Sequence, residues 1–222
     1  MTDKKTTKKI LIITGGNVDT DFAALWVMEN GFDRCIAVDR GAESALDLGL
    51  KIDLFIGDMD SVDSDKLRVL EDRSGRVRKL SPEKDDTDTA LALEEALSLR
   101  PECIYILGAT GNRADHTLTT LMSMVKASEG GVTVCAVDKN NKIYPARGDI
   151  YIDKKTQHGD FVSLSVISDE ARISISGMKY NLEDRCVCRG SSLCQSNEII
   201  GDRAHISVEN GVVLVFESKD GD

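Results

Sequence analysis

The sequence predicts two domains: an α/β domain with a mostly parallel, doubly wound, Rossmann-like sheet over residues 1–140, and an all-β sandwich over residues 141–222. Three observations support this prediction. Short apolar runs alternate with segments of helical spacing up to about Asp138, as they do where helices connect parallel strands. After that point apolar and polar residues alternate, which is typical of half-buried strands. Near the C-terminus, Asn210-Gly211 between two alternating runs predicts a tight hairpin.

The first domain is expected to alternate strands and helices. Each predicted strand is a short run rich in β-branched residues and bounded by Gly or Asp. The strands are expected at residues 9–14, 34–39, 53–58, 75–80, 103–108 and 132–138. The helices are expected at residues 21–30, 64–72, 87–99 and 116–128. This order implies crossover connections, with helices on both faces of the sheet.

The second domain is expected to contain strands and no long helix. Residues 160–167 and 171–178 alternate between apolar and polar side chains. A domain of ~80 residues is near the lower end for independent stability. We therefore expect this domain to be supported by the first domain or by a second subunit.

Composition and charge limit the possible classes of function. Thirty-eight acidic and 28 basic residues give a formal net charge of −10, which repels a phosphate backbone, so nucleic acid is not an expected partner. The first nine residues are basic and lack the apolar segment of a signal peptide, and no later stretch has the length of a membrane span. We therefore expect a cytoplasmic protein with no membrane partner.

The cysteines are expected to be free thiols. Cys186, Cys188 and Cys194 give a weak indication of a zinc site, because their spacing differs from the C-x₂₋₄-C pair of structural zinc sites. The other cysteines lie singly in apolar runs, at Cys35, Cys103 and Cys135. In a reducing cytosol such cysteines stay reduced.

Glycine and acidic residues follow nearly every predicted strand of the first domain. In an open parallel sheet these loops meet at one edge, where helix N-termini favour anions. Gly15 and Gly16 follow the first strand and would let the backbone approach a nucleotide closely. The other candidates for nucleotide binding are Asp39, Gly41, Lys84, Thr87, Gly108, Arg113 and His116. The G-x-G-x-x-G pattern is missing, which disfavours a dinucleotide cofactor.

Three of the acidic residues on this edge are candidate metal ligands: Asp58, Asp60 and Asp88. Several carboxylates at one edge would repel each other without a cation. Oxygen ligands suit Mg²⁺, which completes its shell with water and nucleotide phosphates. The alternative is that Asp and Gly are simply common in turns.

Two cations on this edge are candidate phosphate ligands. Arg113 offers the planar fork that matches phosphate oxygens, and Lys84 offers a point charge. For each, the alternative is an ion pair with a neighbouring Asp, and the two roles are compatible.

At these positions the sequence resembles the thiamine pyrophosphokinase family. The resemblance rests on Gly57-Asp58-x-Asp60-Ser61, Lys84-Asp85-x-Thr87-Asp88 and Gly108-x-x-Gly111-x-Arg113-x-Asp115-His116, which occur in family order. It covers nearly the whole chain, since the family also has a second, β-sandwich domain.

The resemblance implies a transferase that moves the pyrophosphoryl group of ATP to the hydroxyl of thiamine, giving thiamine diphosphate and AMP. It implies Mg²⁺ as the cofactor and a homodimer with the thiamine site near the subunit interface. Catalytic roles follow for Asp58, Asp60, Asp88, Arg113 and Asp115. Asp115 would orient or deprotonate the hydroxyl, bind metal or hold Arg113, while His116 would bind nucleotide or only cap its helix.

The resemblance also places Ser196-Asn197-Glu198 on the thiamine side. We hypothesise that the side chains of Ser196 and Asn197 hydrogen-bond the aminopyrimidine ring. Ile199 follows where relatives often have an aromatic residue, and the single tryptophan of the chain is Trp26.

Two other functions fit the phosphate site. One is a pyrophosphokinase acting on another alcohol, such as a hydroxymethylpterin. The other is a protein that senses nucleotide without turnover, which the number of metal-seeking carboxylates disfavours.

Overall fold

The computed structural model describes residues 8–57, 77–79 and 86–221. The chain divides into two compact units, residues 1–139 and 140–222. The first unit contains β1 (Lys9–Ile13), α1 (Thr20–Asn30), β2 (Arg34–Val38), α2 (Gly41–Asp47), β3 (Leu54–Gly57), β4 (Val77–Lys79), α3 (Asp88–Ser98), β5 (Cys103–Leu107), α4 (Ala114–Ala127) and β6 (Thr133–Val137).

The strands of the first unit form a parallel sheet in the order β6-β5-β1-β2-β3-β4. The central strand β1 is buried along nearly its whole length, and Ile10, Ile12 and Ile104 have no exposed surface. Continuous apolar runs are what a parallel sheet requires, because strands covered on both faces lack an alternating pattern. The predicted strands of this unit are confirmed, and their carboxyl ends lie along one edge.

Two helices of this unit begin at polar caps. Asp19 accepts a hydrogen bond of 2.9 Å from the backbone N–H of Phe22 at the start of α1. Thr87 accepts one of 3.2 Å from the N–H of Ala90 at the start of α3. Each cap satisfies an N–H that has no partner within the helix.

Helix α2 is absent from the sequence prediction. Its seven residues, GAESALD, begin with glycine and are too few to show a clear helical period. The helix predicted over residues 64–72 lies outside the described residues.

The second unit contains β7 (Asn141–Asp153), β8 (Phe161–Val166), β9 (Glu170–Ser176), β10 (Leu182–Cys188) and β11 (Arg203–Ser218). All pairings within it are antiparallel, and no helix occurs between residues 140 and 221. Its core takes alternate residues from β8 and β9, for example Val162, Leu164 and Ile173. The strands predicted at residues 160–167 and 171–178 are confirmed.

The hairpin predicted at Asn210-Gly211 is wrong, because β11 continues through both residues. Gly211 has a φ of 93°, and its backbone lies against Glu170, so a β-carbon there would overlap the Glu170 carbonyl oxygen. The register of β11 shifts in this segment, where its partner changes from β9 to β8. The Asn-Gly pair therefore forms a bulge between the two halves of one long strand.

Candidate active site

A cleft of about 860 Å³ opens at the carboxyl ends of the strands in the first unit. Loops that follow β1, β2 and β5 line it, together with residues of α2, α3 and α4. The predicted residues that line it are Gly15, Gly16, Asp39, Asp88, Gly108, Arg113 and His116. This is the position where open parallel sheets bind ligands.

The loops after β1 and β5 are joined by hydrogen bonds to backbone carbonyl groups. The Thr14 hydroxyl donates a hydrogen bond of 2.6 Å to the Gly108 carbonyl, and the Asn17 N–H donates one of 2.9 Å to the Thr110 carbonyl. A β-carbon on Gly16 would overlap the carbonyl oxygens of both Gly108 and Thr110. Glycine at position 16 is therefore required for the two loops to close, and the closed loops form one wall of the cleft.

The loop after β2 turns sharply at Asp39, which has a φ of 48°. Few residues other than glycine adopt this left-handed conformation, and Asp is among the more tolerant. A β-carbon added to Gly57 would lie 2.5 Å from the Asp39 Oδ1 atom, so this carboxylate reaches the end of β3. Gly41 does not line the cleft but packs against the Ile13 carbonyl, where a β-carbon would overlap it.

Arg113 and Asp115 form an ion pair at the start of α4. The Arg113 side chain donates hydrogen bonds of 3.2 Å from Nε to Oδ1 and 2.6 Å from Nη2 to Oδ2 of Asp115. This guanidinium lowers the pKa of Asp115 to about 2. A carboxylate with so low a pKa is a poor general base near neutral pH, but it can hold Arg113. Among the residues that the structure describes, none accepts a hydrogen bond from the Arg113 Nη1 atom, and His116 is exposed on the cleft wall.

The predicted metal ligands are only partly described. Asp88 is the first residue of α3 and is half-buried where it lines the cleft. Asp58, Asp60 and Lys84 lie outside the described residues. Within the described ranges no group of three His, Cys, Asp or Glu residues could hold a metal ion. Asp39 and Asp88 nevertheless line one cleft with carboxylate oxygens, the donors that Mg²⁺ prefers.

In the second unit, Asn197 is 4% exposed and bonded to its own domain. Its Oδ1 accepts hydrogen bonds of 3.0 Å from the N–H groups of Tyr180 and Glu198, and its Nδ2 donates one of 2.7 Å to the Tyr180 carbonyl. The amide thus fixes the backbone of Tyr180, whose side chain is 61% exposed. Ser196 is exposed, with a φ of 50°, while Ile199 is buried in the core.

The family is shown by comparison with known proteins. The thiamin pyrophosphokinase catalytic domain matches residues 22–136, and the vitamin B1 binding domain of the same enzyme matches residues 148–213. The chain belongs to the thiamin pyrophosphokinase family.

Individual relatives agree with the two domain matches. The thiamine pyrophosphokinase of Bacillus subtilis strain 168 is 32% identical over 224 residues, covering 96% of this chain and all of the relative. The crystal structure of thiamine pyrophosphokinase from Bacillus subtilis superposes with a TM-score of 0.86 at 29% identity, covering 96% of this chain and 100% of that one. A family protein from Enterococcus faecalis gives a TM-score of 0.82 at 27% identity, with the same coverage of both chains. The chain therefore has the thiamin pyrophosphokinase fold.

Several residues that line the cleft were not among the predicted site residues. They are Thr14, Asn17, Arg40, Glu43, Ser44, Asp47, Thr110, Asn112, Thr117 and Thr120. Glu43, Ser44 and Asp47 belong to α2, which was not predicted. Thr87 was predicted to bind nucleotide, but its hydroxyl caps α3 and it does not line the cleft.

Among the described residues the cysteines are free thiols, as predicted. Burial raises the pKa of Cys35 to about 12, which keeps this thiol protonated. Cys186 and Cys188 are exposed on β10, whereas Cys194 is buried, so the three do not form a zinc site.

Among the described residues, every helix is too short or too polar to span a lipid bilayer.

Proposed function

We propose that this protein is a thiamine pyrophosphokinase, which transfers the pyrophosphoryl group of ATP to the hydroxyl of thiamine. The oxygen of that hydroxyl would form a bond to the β-phosphorus while the bond from this phosphorus to the oxygen of AMP breaks, and the hydroxyl proton would be released to water. The products would be thiamine diphosphate and AMP. The observation that supports this best is the match of both family domains, in order, to the unit with the cleft and to the unit made of strands.

ATP is proposed to bind in the cleft of the first unit. A volume of about 860 Å³ is within the range for small-molecule sites. The closed backbone at Gly16 and Gly108 offers a surface without side chains that phosphates can approach. This assigns residues 1–140 as the ATP- and Mg²⁺-binding catalytic domain, and its parallel strands support the Rossmann-like, doubly wound interpretation.

Mg²⁺ would be held by Asp58, Asp60 and Asp88. When bound, it would neutralise charge on the phosphate oxygens. The half-buried Asp88, which lines the cleft, and the Asp39 carboxylate, which reaches the end of β3, support a metal at this edge of the sheet.

Arg113 and Lys84 are proposed to bind phosphate oxygens, with Asp115 as the residue that positions Arg113. The ion pair fixes the guanidinium, and no described residue takes up its Nη1 donors. The low pKa of Asp115 disfavours the alternative in which it deprotonates thiamine. In-line transfer of a pyrophosphoryl group to a hydroxyl depends mainly on positioning and on charge stabilisation, which this arrangement can provide.

Thiamine is proposed to bind to residues 141–222, a β-sandwich domain, at the Ser196-Asn197 run. Because the Asn197 amide is engaged with the backbone, we infer that it contributes mainly by holding Tyr180. The exposed Tyr180 ring would then supply the aromatic surface that Ile199 does not. Ser196 remains exposed and able to donate a hydrogen bond.

The protein is further proposed to act as a cytoplasmic homodimer. Leu25 and Met28 lie three residues apart on α1 and are 65% and 82% exposed, so they present adjacent apolar side chains to a partner. Sedimentation across a dilution series, run beside an activity assay, tests whether the dimer is needed for turnover.

One assay tests the proposed function. The protein is incubated with ATP, Mg²⁺ and thiamine, and the nucleotide and thiamine products are separated by chromatography. We expect AMP and thiamine diphosphate in equal amounts, and neither when the metal is chelated. ADP as the nucleotide product would contradict pyrophosphoryl transfer, and AMP formation only with a hydroxymethylpterin would contradict the acceptor.

A further inference from the structure

We propose that Arg40 is a phosphate-binding residue of the same cleft as Arg113 and distinct from it in role. This inference rests on the proposed function, since it takes ATP as the ligand. Arg40 lies between β2 and α2, lines the cleft and is exposed. Three observations support the assignment.

The backbone around Arg40 is fixed on both sides. Asp39 before it is held in the left-handed conformation, and Gly41 after it packs against the end of β1. A β-carbon on Gly15 would lie 3.5 Å from the β-carbon of Arg40, in ordinary contact. The side chain of Arg40 therefore starts beside the Gly15-Gly16 backbone, on the wall that phosphates would approach.

Arg40 differs from Arg113 in its charge partners. Arg113 is bonded to Asp115, which neutralises much of its charge. In the part of the chain that the structure describes, the Arg40 side chain makes no hydrogen bond and no ion pair. All its N–H donors are thus available to a ligand, in a geometry that matches phosphate oxygens.

The composition of the cleft wall favours a cation at this position. Besides Asp88, the described wall on the β2 side carries the carboxylates of Asp39, Glu43 and Asp47. A wall rich in carboxylates is unfavourable for a polyphosphate, and each cation on it reduces that repulsion. A metal ion would neutralise the carboxylates that bind it. Arg40 would supply positive charge next to the Gly15-Gly16 loop.

The test compares Arg40→Ala and Arg40→Lys with Lys51→Ala, an exposed residue before β3 at the opposite end of the strands. Binding of ATP, AMP and adenosine to each folded variant is measured by calorimetry with Mg²⁺ present. We expect Arg40→Ala to weaken ATP binding by roughly 10- to 100-fold and adenosine binding by less than about 3-fold. Arg40→Lys should lie between, since it keeps the charge and loses the fork. Lys51→Ala should match wild type.

Two results would overturn the assignment. Equal losses for adenosine and ATP would mean that Arg40 contacts the nucleoside, and unchanged ATP binding would mean that it contacts no ligand. In steady state, Arg40→Ala should raise KM for ATP and leave KM for thiamine unchanged. The binding titrations do not require turnover, so a wild type that binds ATP but forms no AMP would refute the proposed function without affecting the result for Arg40. Thermal unfolding of each variant identifies any that is misfolded. If Arg40→Ala is misfolded, ATP and adenosine binding by Arg40→Lys tests the assignment instead.

Discussion

The Arg113 guanidinium donates two hydrogen bonds to the Asp115 carboxylate, although the residues are only two positions apart and both side chains are exposed. The pair lies at the N-terminus of α4, where a negative charge is favoured. Asp115 is therefore suited to positioning Arg113 rather than to accepting a proton. Its ionisation should not appear in the pH dependence of kcat/KM.

The first prediction concerns that pH dependence. The pKa of Asp115 is lowered from 3.8 to about 2, so its ion pair is complete above pH 4 and is lost only as the pH falls through about 2. Any acid limb of kcat/KM between pH 5 and 7 should persist in Asp115→Asn, while kcat/KM itself falls by about 10-fold or more because Arg113 is no longer held. Loss of the acid limb in Asp115→Asn would instead identify Asp115 as the general base.

The second prediction concerns the metal. We expect Asp88→Asn, Asp58→Asn and Asp60→Asn each to lower turnover by ~10²-fold or more while the protein stays folded, because charge stabilisation in the transition state is lost. Asp86→Asn is the matched control, since Asp86 is exposed, occupies the unspecified position of the same motif and does not line the cleft. Turnover is measured over a Mg²⁺ titration. If a variant keeps normal turnover at limiting Mg²⁺, the residue replaced in it is not a metal ligand.

The sequence was sufficient to predict the strands of the first unit and the edge where the site lies. Runs such as residues 10–13 and 103–107 are apolar throughout, and their alternation with helical segments favours parallel strands covered on both faces. Once the strands are parallel, the loops after them must share an edge. The grouping of Gly15, Asp39 and Gly108 follows from that topology rather than from any single motif.

The errors arose where tertiary contacts override local patterns. Asn210-Gly211 has the local chemistry of a hairpin, but Val212 donates a hydrogen bond of 3.0 Å to the Ser168 hydroxyl, and the strand continues past the bulge. The partners of Asn197 likewise could not be predicted, because Tyr180 lies 17 positions away and nothing in the run itself indicates it. A polar residue in a binding motif can thus stabilise the fold and affect ligand binding only by positioning other residues.

The third prediction concerns the closed glycine loops. Gly16→Ala should lower the free energy of unfolding by about 1–3 kcal/mol, since its methyl group would overlap backbone oxygens that cannot move freely. ATP affinity should fall with it, as the loops separate. Gly130→Ala is the control, because a β-carbon there meets nothing within 4 Å. Urea unfolding and ATP titration measure both effects, and equal stability of the two variants would show that the loops can adjust.

The last prediction separates the two roles proposed for the thiamine side. Asn197→Ala should lower the free energy of unfolding by ~1–3 kcal/mol, because it leaves backbone groups of Tyr180 and Glu198 without their buried partner. It should weaken thiamine binding as well, through the displaced Tyr180. Tyr180→Ala should change the stability by less than about 0.5 kcal/mol, as expected for an exposed side chain, and still weaken thiamine binding.

The matched control is Tyr151→Ala, which removes a ring that is 60% exposed on β7 of the same unit. Calorimetric titrations of thiamine and of ATP into each variant, together with Tyr180→Phe and Ser196→Ala, distinguish the contributions. Tyr180→Phe should bind thiamine like wild type, because the ring face is retained, and ATP affinity should stay constant throughout. If Asn197→Ala loses thiamine binding while Tyr180→Ala keeps it, the Asn197 amide must contact thiamine directly, and the positioning role assigned to it is wrong.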